Sequence, residues 1–320
     1  MSRRRSFTTA EVAGILVALA ALVLGWTWWI SRDRVAPETR SAVTTAGLTA
    51  IEQGVAGAAD THDLPPVPPA QAPIDLAAAD LMANADAGSV RATCRLAFEL
   101  LRCRELVERD RWRATQAPPR RRGDPAADAH ALKRYEEQML KTAQDAMVCE
   151  RVPKAVQDRA EDLLAMAARQ GVPGAMLHYA TGRHLSHDAG FAATPAFDAW
   201  LRDAPAMLHA ARDAGLREAV PELVTAYSTE IGFPGALIPD DPVQALAHRI
   251  LGALLVEGLS TEFEMFTRNL DPEDVRKARE LANYLHQRHF GGRRHPPSPP
   301  DPNAVAMPLP DPDSYCRPAA

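Results

Sequence analysis

Two histidines three residues apart, His184 and His187, come nearest in this chain to a constellation that could do chemistry; Asp188 follows them and His178 lies one to two turns upstream. Imidazoles at that spacing suit zinc or nickel. A catalytic zinc helix, however, carries a glutamate directly after its first histidine, and no glutamate stands there. The group is therefore read as solvated side chains of a loop between helices. His286 and His289 repeat the spacing at a helix end, where a cation already meets a favourable dipole and no ligand is needed. Asp240 and Asp241 precede a proline and read as a helix cap, while Glu136 and Glu137 read as an exposed helix face, so neither is an acid/base pair. The triplet Arg120, Arg121 and Arg122 lies in a Pro/Gly loop and reads as solvated charge. Nucleophile elbow, P-loop and dinucleotide fingerprints are all missing from the sequence. No catalytic, cofactor-binding or metal-ligating residue is assigned, no cofactor is expected, and the chain is not read as an enzyme. A site assembled from distant residues, in an envelope enzyme or metal-binding protein, is the alternative.

Cysteine chemistry is the exception. Cys94, Cys103, Cys149 and Cys316 form an even set open to three pairings, and none has the C-x-x-C spacing of a zinc or redox motif. Cys94 opens one expected helix and Cys149 closes the next. Antiparallel packing of those helices favours a Cys94–Cys149 bridge, leaving Cys103 and Cys316 to staple the tail. Four unpaired thiols on helix faces are the other reading.

The elements that must position these residues announce themselves by repetition. Leu81 and Gly88, Leu164 and Gly171, Leu208 and Gly215, and Leu251 and Gly258 share one spacing. Ala92, Ala175 and Ala219 stand four residues past the first three glycines, with Leu96, Tyr179 and Leu223 four further on; the fourth copy keeps only Phe266. The last three glycines are 44 and 43 residues apart, and the first gap of 83 is close to two such periods. Self-similarity in this range marks stacked helix pairs. Each glycine would close a first helix in the left-handed conformation. Each alanine would let the second helix approach closely. The fold class expected is all-α: an N-terminal transmembrane helix followed by an α-solenoid of antiparallel helix pairs.

Helices are expected from Ile74 to about Asn84, from a Ser89 cap to about Arg113, from Asp128 to Cys149 and from Pro153 to Gln170. The best two pairs are Arg159–Gly182 and Pro205–Tyr227; later helices start at Asp241–Pro242 and Asp271–Pro272. On the second helix Leu96, Leu100, Cys103 and Val107 form one apolar stripe, and its other side, crowded with Arg and Glu, reads as partly solvent-facing. Residues 31–73 read as a Pro-rich flexible tether, 74–292 as the helical domain, and 293–320 as a Pro-rich tail without regular structure, fastened if at all by Cys316.

The copies resemble the SEL-like repeat family, relatives of the tetratricopeptide repeats. The likeness is carried by Ala167-Ala168-Arg169-Gln170-Gly171 with Ala175 and Tyr179, by Ala210-Ala211-Arg212-Asp213-Ala214-Gly215 with Ala219 and Tyr227, and by Asp240-Asp241-Pro242-Val243-Gln244-Ala245-Leu246-Ala247. It spans about Ile74 to Phe290. The chain departs from the family at Thr181–Thr194 and Ile231–Pro239, which replace the usual glycine-rich loop, at 116–149, which lacks the pattern, and in its cysteine spacing. The resemblance implies a right-handed solenoid and an adaptor role, with a protein or peptide bound on a concave face. His178, Glu222 and Thr225 would face that ligand.

Val12–Ile30 is 19 residues without a charge and reaches roughly 28 Å, enough for a bilayer core. Trp26, Trp28 and Trp29 crowd its end, where a signal peptide would carry small cleavage residues. The reading is an uncleaved signal anchor, with residues 1–11 as a cytoplasmic tail; a cleaved signal peptide is the alternative. Arg3, Arg4 and Arg5 bias the N-terminus to the cytoplasm and the domain to the periplasm. A net charge of −5 argues against a nucleic-acid partner. The expected role is an inner-membrane scaffold of a bacterial envelope; a cytoplasmic, membrane-tethered signalling adaptor is a further alternative.

Overall fold

A computed structural model describes residues 66–115, 125–185, 190–228, 237–261, 263–297 and 312–316, all within one compact unit that begins at Ala58. The expected span at 12–30, its flanks, the tether up to residue 65, the arginine triplet, His187 and Asp188 lie outside these residues. Among the described residues the regular structure is helical, and no helix is long and apolar enough to cross a membrane. In chain order the helices are α1 (Ile74–Asp86), α2 (Val90–Ala114), α3 (Pro125–Glu150), a single turn α4 (Lys154–Gln157), α5 (Ala160–Arg169), α6 (Pro173–Ala180), α7 (Pro195–Asp213), α8 (Ala219–Ala226), α9 (Pro242–Leu254), a single turn α10 (Glu264–Thr267), α11 (Pro272–Phe290) and a last turn α12 (Pro312–Tyr315).

Three of the four spaced glycines lie where helices stop; the fourth, Gly258, expected to close its helix, lies four residues past Leu254, and the helix there is capped at Leu255 instead. Gly88, Gly171, Gly215 and Gly258 follow α1, α5, α7 and α9 with φ of 91°, 82°, 83° and 77°. After the first three, the next amide reaches back five residues: Ser89 to Asn84, Val172 to Ala167 and Leu216 to Ala211. That closure satisfies carbonyls the helix end would otherwise leave unpaired. Starts are equally local. The Ser89 hydroxyl accepts from the Ala92 amide at 3.4 Å, and Asp241 Oδ1 accepts from the Val243 and Gln244 amides at 3.0 Å each. One start lies earlier than expected. Thr194 caps α7 at 3.3 Å from the Phe197 amide, eleven residues before Pro205, which sits inside the helix.

The helices pack in sequential pairs: α1 on α2, α5 on α6, α7 on α8, and α9 on α11. Between pairs, α2 packs on α5, α6 on α7 and α8 on α9. Ala92, Ala175 and Ala219 are wholly buried in these contacts. The long first gap in the glycine spacing holds no second pair. It holds α3, which lies against α2 outside the succession, and the turn α4. One core runs through α1 to α8; a second joins Val220 to α9 and α11.

The cysteines pair as Cys94–Cys316 and Cys103–Cys149, which corrects the expected Cys94–Cys149 bridge. The reason is register. Arg113 donates to the Gln138 carbonyl and to the Thr142 hydroxyl, so α3 begins roughly four turns beyond the end of α2. In that register Cys149 falls opposite Cys103. The overhanging part of α3 leaves Leu132 exposed. Two closed disulfides mark an oxidising, extracytoplasmic compartment.

The folded domain also starts before Ile74. Arg95, on the α2 side expected to meet solvent, is buried and donates to the carbonyls of Pro68, Pro69 and Ala70. A planar guanidinium can serve several carbonyls at once. The last part of the expected tether is thereby fixed to the domain.

Candidate functional site

The second helices of the first two full pairs, α2 and α6, form the walls of a slot. Phe98 on α2 is fully buried and forms its floor; its ring meets His178 of α6 edge-on at 5.3 Å. Gly174, in the first turn of α6, leaves one wall as bare backbone. A helical glycine gives up about 0.5–1 kcal/mol relative to alanine, so its presence needs a reason. The reason is α12. A Cβ on Gly174 would lie 2.7 Å from Tyr315 Cα and 2.8 Å from its carbonyl carbon, closer than any real contact.

Tyr315 lays its ring on Phe98 at 5.1 Å, so Tyr315, Phe98 and His178 form a run of three rings. Pro312 is buried, and the Cys316 amide returns to the Pro312 carbonyl at 2.9 Å, closing one turn. Cys316 then bonds to Cys94, one turn of α2 before Phe98. The Tyr315 phenol is pushed up by burial and by the carboxylates of Glu218 and Glu222 on the α8 side, with Arg183 opposing. Arg183 itself pairs with Glu222 at 3.2 Å. The ligand-facing residues expected from sequence are thus partly brought together: His178 and Glu222 border the slot, while Thr225 bonds to the Pro221 carbonyl one turn along α8.

His178 and His184 neighbour one another, and His184, expected as a solvated loop side chain, is instead buried, while His187 and Asp188 lie outside the described residues. Burial, with Arg183 and Arg104 nearby, holds His178 down to about 4. Burial, His178 and Arg104 hold His184 down to about 3. Both are neutral at pH 7. His184 stacks on Tyr179 at 4.9 Å, and its carbonyl accepts from Arg104 at 3.1 Å. Among the described residues no group of three or more His, Cys, Asp or Glu is placed to hold a metal ion. His286 Nε2 donates to the Arg293 carbonyl, and His289 Nδ1 donates to the Asp213 carbonyl while its Nε2 faces the Asp213 carboxylate, so both tie helix ends together. Asp241 is a cap, as above.

The slot thus offers an aromatic floor, a wall of side-chain-free backbone at Gly174, and charge at the rim, all covered by α12. Sequence reasoning missed Phe98, Gly174 and Tyr315. The signals were a glycine behind Pro173 with no capping duty and a Tyr-Cys pair alone among prolines. Compared with known proteins, the chain matches no family model, no curated protein and no solved structure, so what is established is an all-helical domain of about ten packed helices with two disulfides.

Proposed function

We propose that this chain is a membrane-anchored scaffold of a bacterial envelope, a solenoid of SEL-like type that binds a protein or peptide partner along the face made by α2, α6 and α8. One observation carries the reading: that face already holds a short peptide segment, the chain's own Pro312–Cys316. Sequential helix pairs closed by spaced glycines support the solenoid, and the disulfides support a periplasmic domain. The apolar run at 12–30 supports an inner-membrane anchor with the N-terminus in the cytoplasm.

A photocrosslinking amino acid placed at Glu222 in the full chain, in cells, should give a protein adduct that the same group at Arg279, on the exposed side of α11, does not. The adduct should disappear when Ala175→Arg is added, because that wholly buried alanine sets how closely the pairs stack. Equal adducts from both positions, or none from Glu222, would overturn the reading.

A further inference from the structure

We propose that the slot between α2 and α6 recognises a Pro-x-x-Tyr turn of a partner protein, and that Pro312–Cys316 occupies it as a disulfide-latched imitation of that ligand. The inference rests on the scaffold reading and names its ligand.

The slot does not depend on the tail for its shape. α2 and α6 each pack on α5, so their spacing is set within the succession of pairs. With the segment gone, Phe98 and the bare backbone of Gly174 remain as a preformed site, which binds without a cost of ordering. What fits is defined by what is there. Proline is buried at the start of the turn, the turn closes from residue 316 to residue 312, and an aromatic ring lies on Phe98 while its backbone passes over Gly174. Tyrosine rather than phenylalanine suits the site because the ring's polar end lies within the field of the Glu218, Glu222 and Arg183 charges.

The latch makes the occupant a competitor that a partner in solution cannot displace. A tethered segment already holds a millimolar effective concentration; a covalent bond removes exchange altogether. Of the four cysteines, Cys316 alone is half-buried rather than buried. Opening is a two-electron step. A dithiol donor attacks the bridge, Cys94 and Cys316 each end as a thiol with one added hydrogen, and the donor leaves as its disulfide.

The test uses the full chain in detergent and a fluorescein-labelled peptide with the sequence of residues 308–318 carrying serine for cysteine. A Tyr315→Ala/Cys316→Ser chain, free of both latch and ring, should bind the probe at least tenfold more tightly than the oxidised wild type by fluorescence anisotropy. Adding Gly174→Val or Phe98→Ala to that chain should abolish binding while helical circular dichroism is retained. A folded double variant that ignores the peptide, or an oxidised wild type that binds it equally, overturns the proposal. So does a disulfide-linked dimer on a non-reducing gel, since the tail would then fill a second copy's slot. Failure here with Glu222 adducts intact removes only the ligand assignment. Peptide binding without those adducts would instead sink the scaffold reading.

Discussion

Lowering the pH should loosen the joint between the third and fourth helix pairs, and His248 sets by how much. His248 on α9 has no exposed surface; its Nδ1 meets the Gln244 carbonyl at 2.8 Å and its Nε2 meets Arg212 Nη1 at 3.0 Å. A guanidinium only donates, so Nε2 accepts and the proton resides on Nδ1. A second proton would have to sit between Nε2 and a fixed cation. Burial holds this imidazole down to about 4; the Gln244 carbonyl works against the shift, and Arg212 and His209 add to it. Around it Tyr227 stacks at 5.5 Å, the Tyr227 hydroxyl meets His209 Nε2 at 3.1 Å, and Asp213 pairs with Arg212. The network bridges the larger core to the smaller one on α9 and α11.

An unfolded histidine titrates near pH 6.5, so between pH 6.5 and about 4 the unfolded chain takes up a proton that the folded chain refuses. Stability contributed by neutral His248 is complete above that window and falls as pH drops through it. Moving from pH 7.5 to 5.0 corresponds to about 2 kcal/mol for this one group. Urea unfolding at the two pH values would measure it, on the wild type and on His248→Gln. The amide can still accept from Arg212 but does not titrate. The wild type should lose about 2 kcal/mol more than the variant between the two conditions. Equal losses would refute the assignment of the protonation cost to this site.

Other outcomes follow from the same geometry. Gly171→Ala should cost about 1–2 kcal/mol through its positive φ alone, since its added Cβ meets open space, whereas Gly215→Ala should cost more because its Cβ would press on the His289 carbonyl at 3.1 Å; thermal melts showing the reverse order would refute this. Opening Cys103–Cys149 with paired serines should lower stability by up to about 4 kcal/mol for a loop of 46 residues, read by denaturant midpoint, and an unchanged midpoint would count against the bridge. Arg95→Ala should speed limited proteolysis within residues 66–70, whose carbonyls it holds; an unchanged cleavage pattern would mean the segment is fixed otherwise.

What was legible in the sequence was local. A glycine that must take positive φ, a serine or aspartate that must accept from two or three residues on, and an apolar stripe of period 3.6 are all decided within one or two turns, and Gly88, Ser89 and Asp241 stand where those rules put them. Pro205 misled for the opposite reason: proline usually marks a start, yet Thr194 and Pro195 supplied a better one ten residues upstream. The disulfide pairing was illegible because it depends on how far α3 slides along α2, a tertiary quantity with no local marker. Likewise the 83-residue gap fits two repeats by length, and only packing reveals a single long helix laid outside the succession. Nothing near Phe98 in sequence says that residues more than two hundred positions later will cover it.

Two neighbouring residues of α2 end up holding both ends of the described chain: Arg95 the lead at 68–70, Cys94 the tail at 316. Successive helical residues point about 100° apart, so lead and tail leave α2 on different sides and do not compete for one surface. Phe98, four residues past Cys94 and three past Arg95, lies on the α2 face between the two fasteners, so the floor of the slot has the tail on one side and the lead at 68–70 on the other.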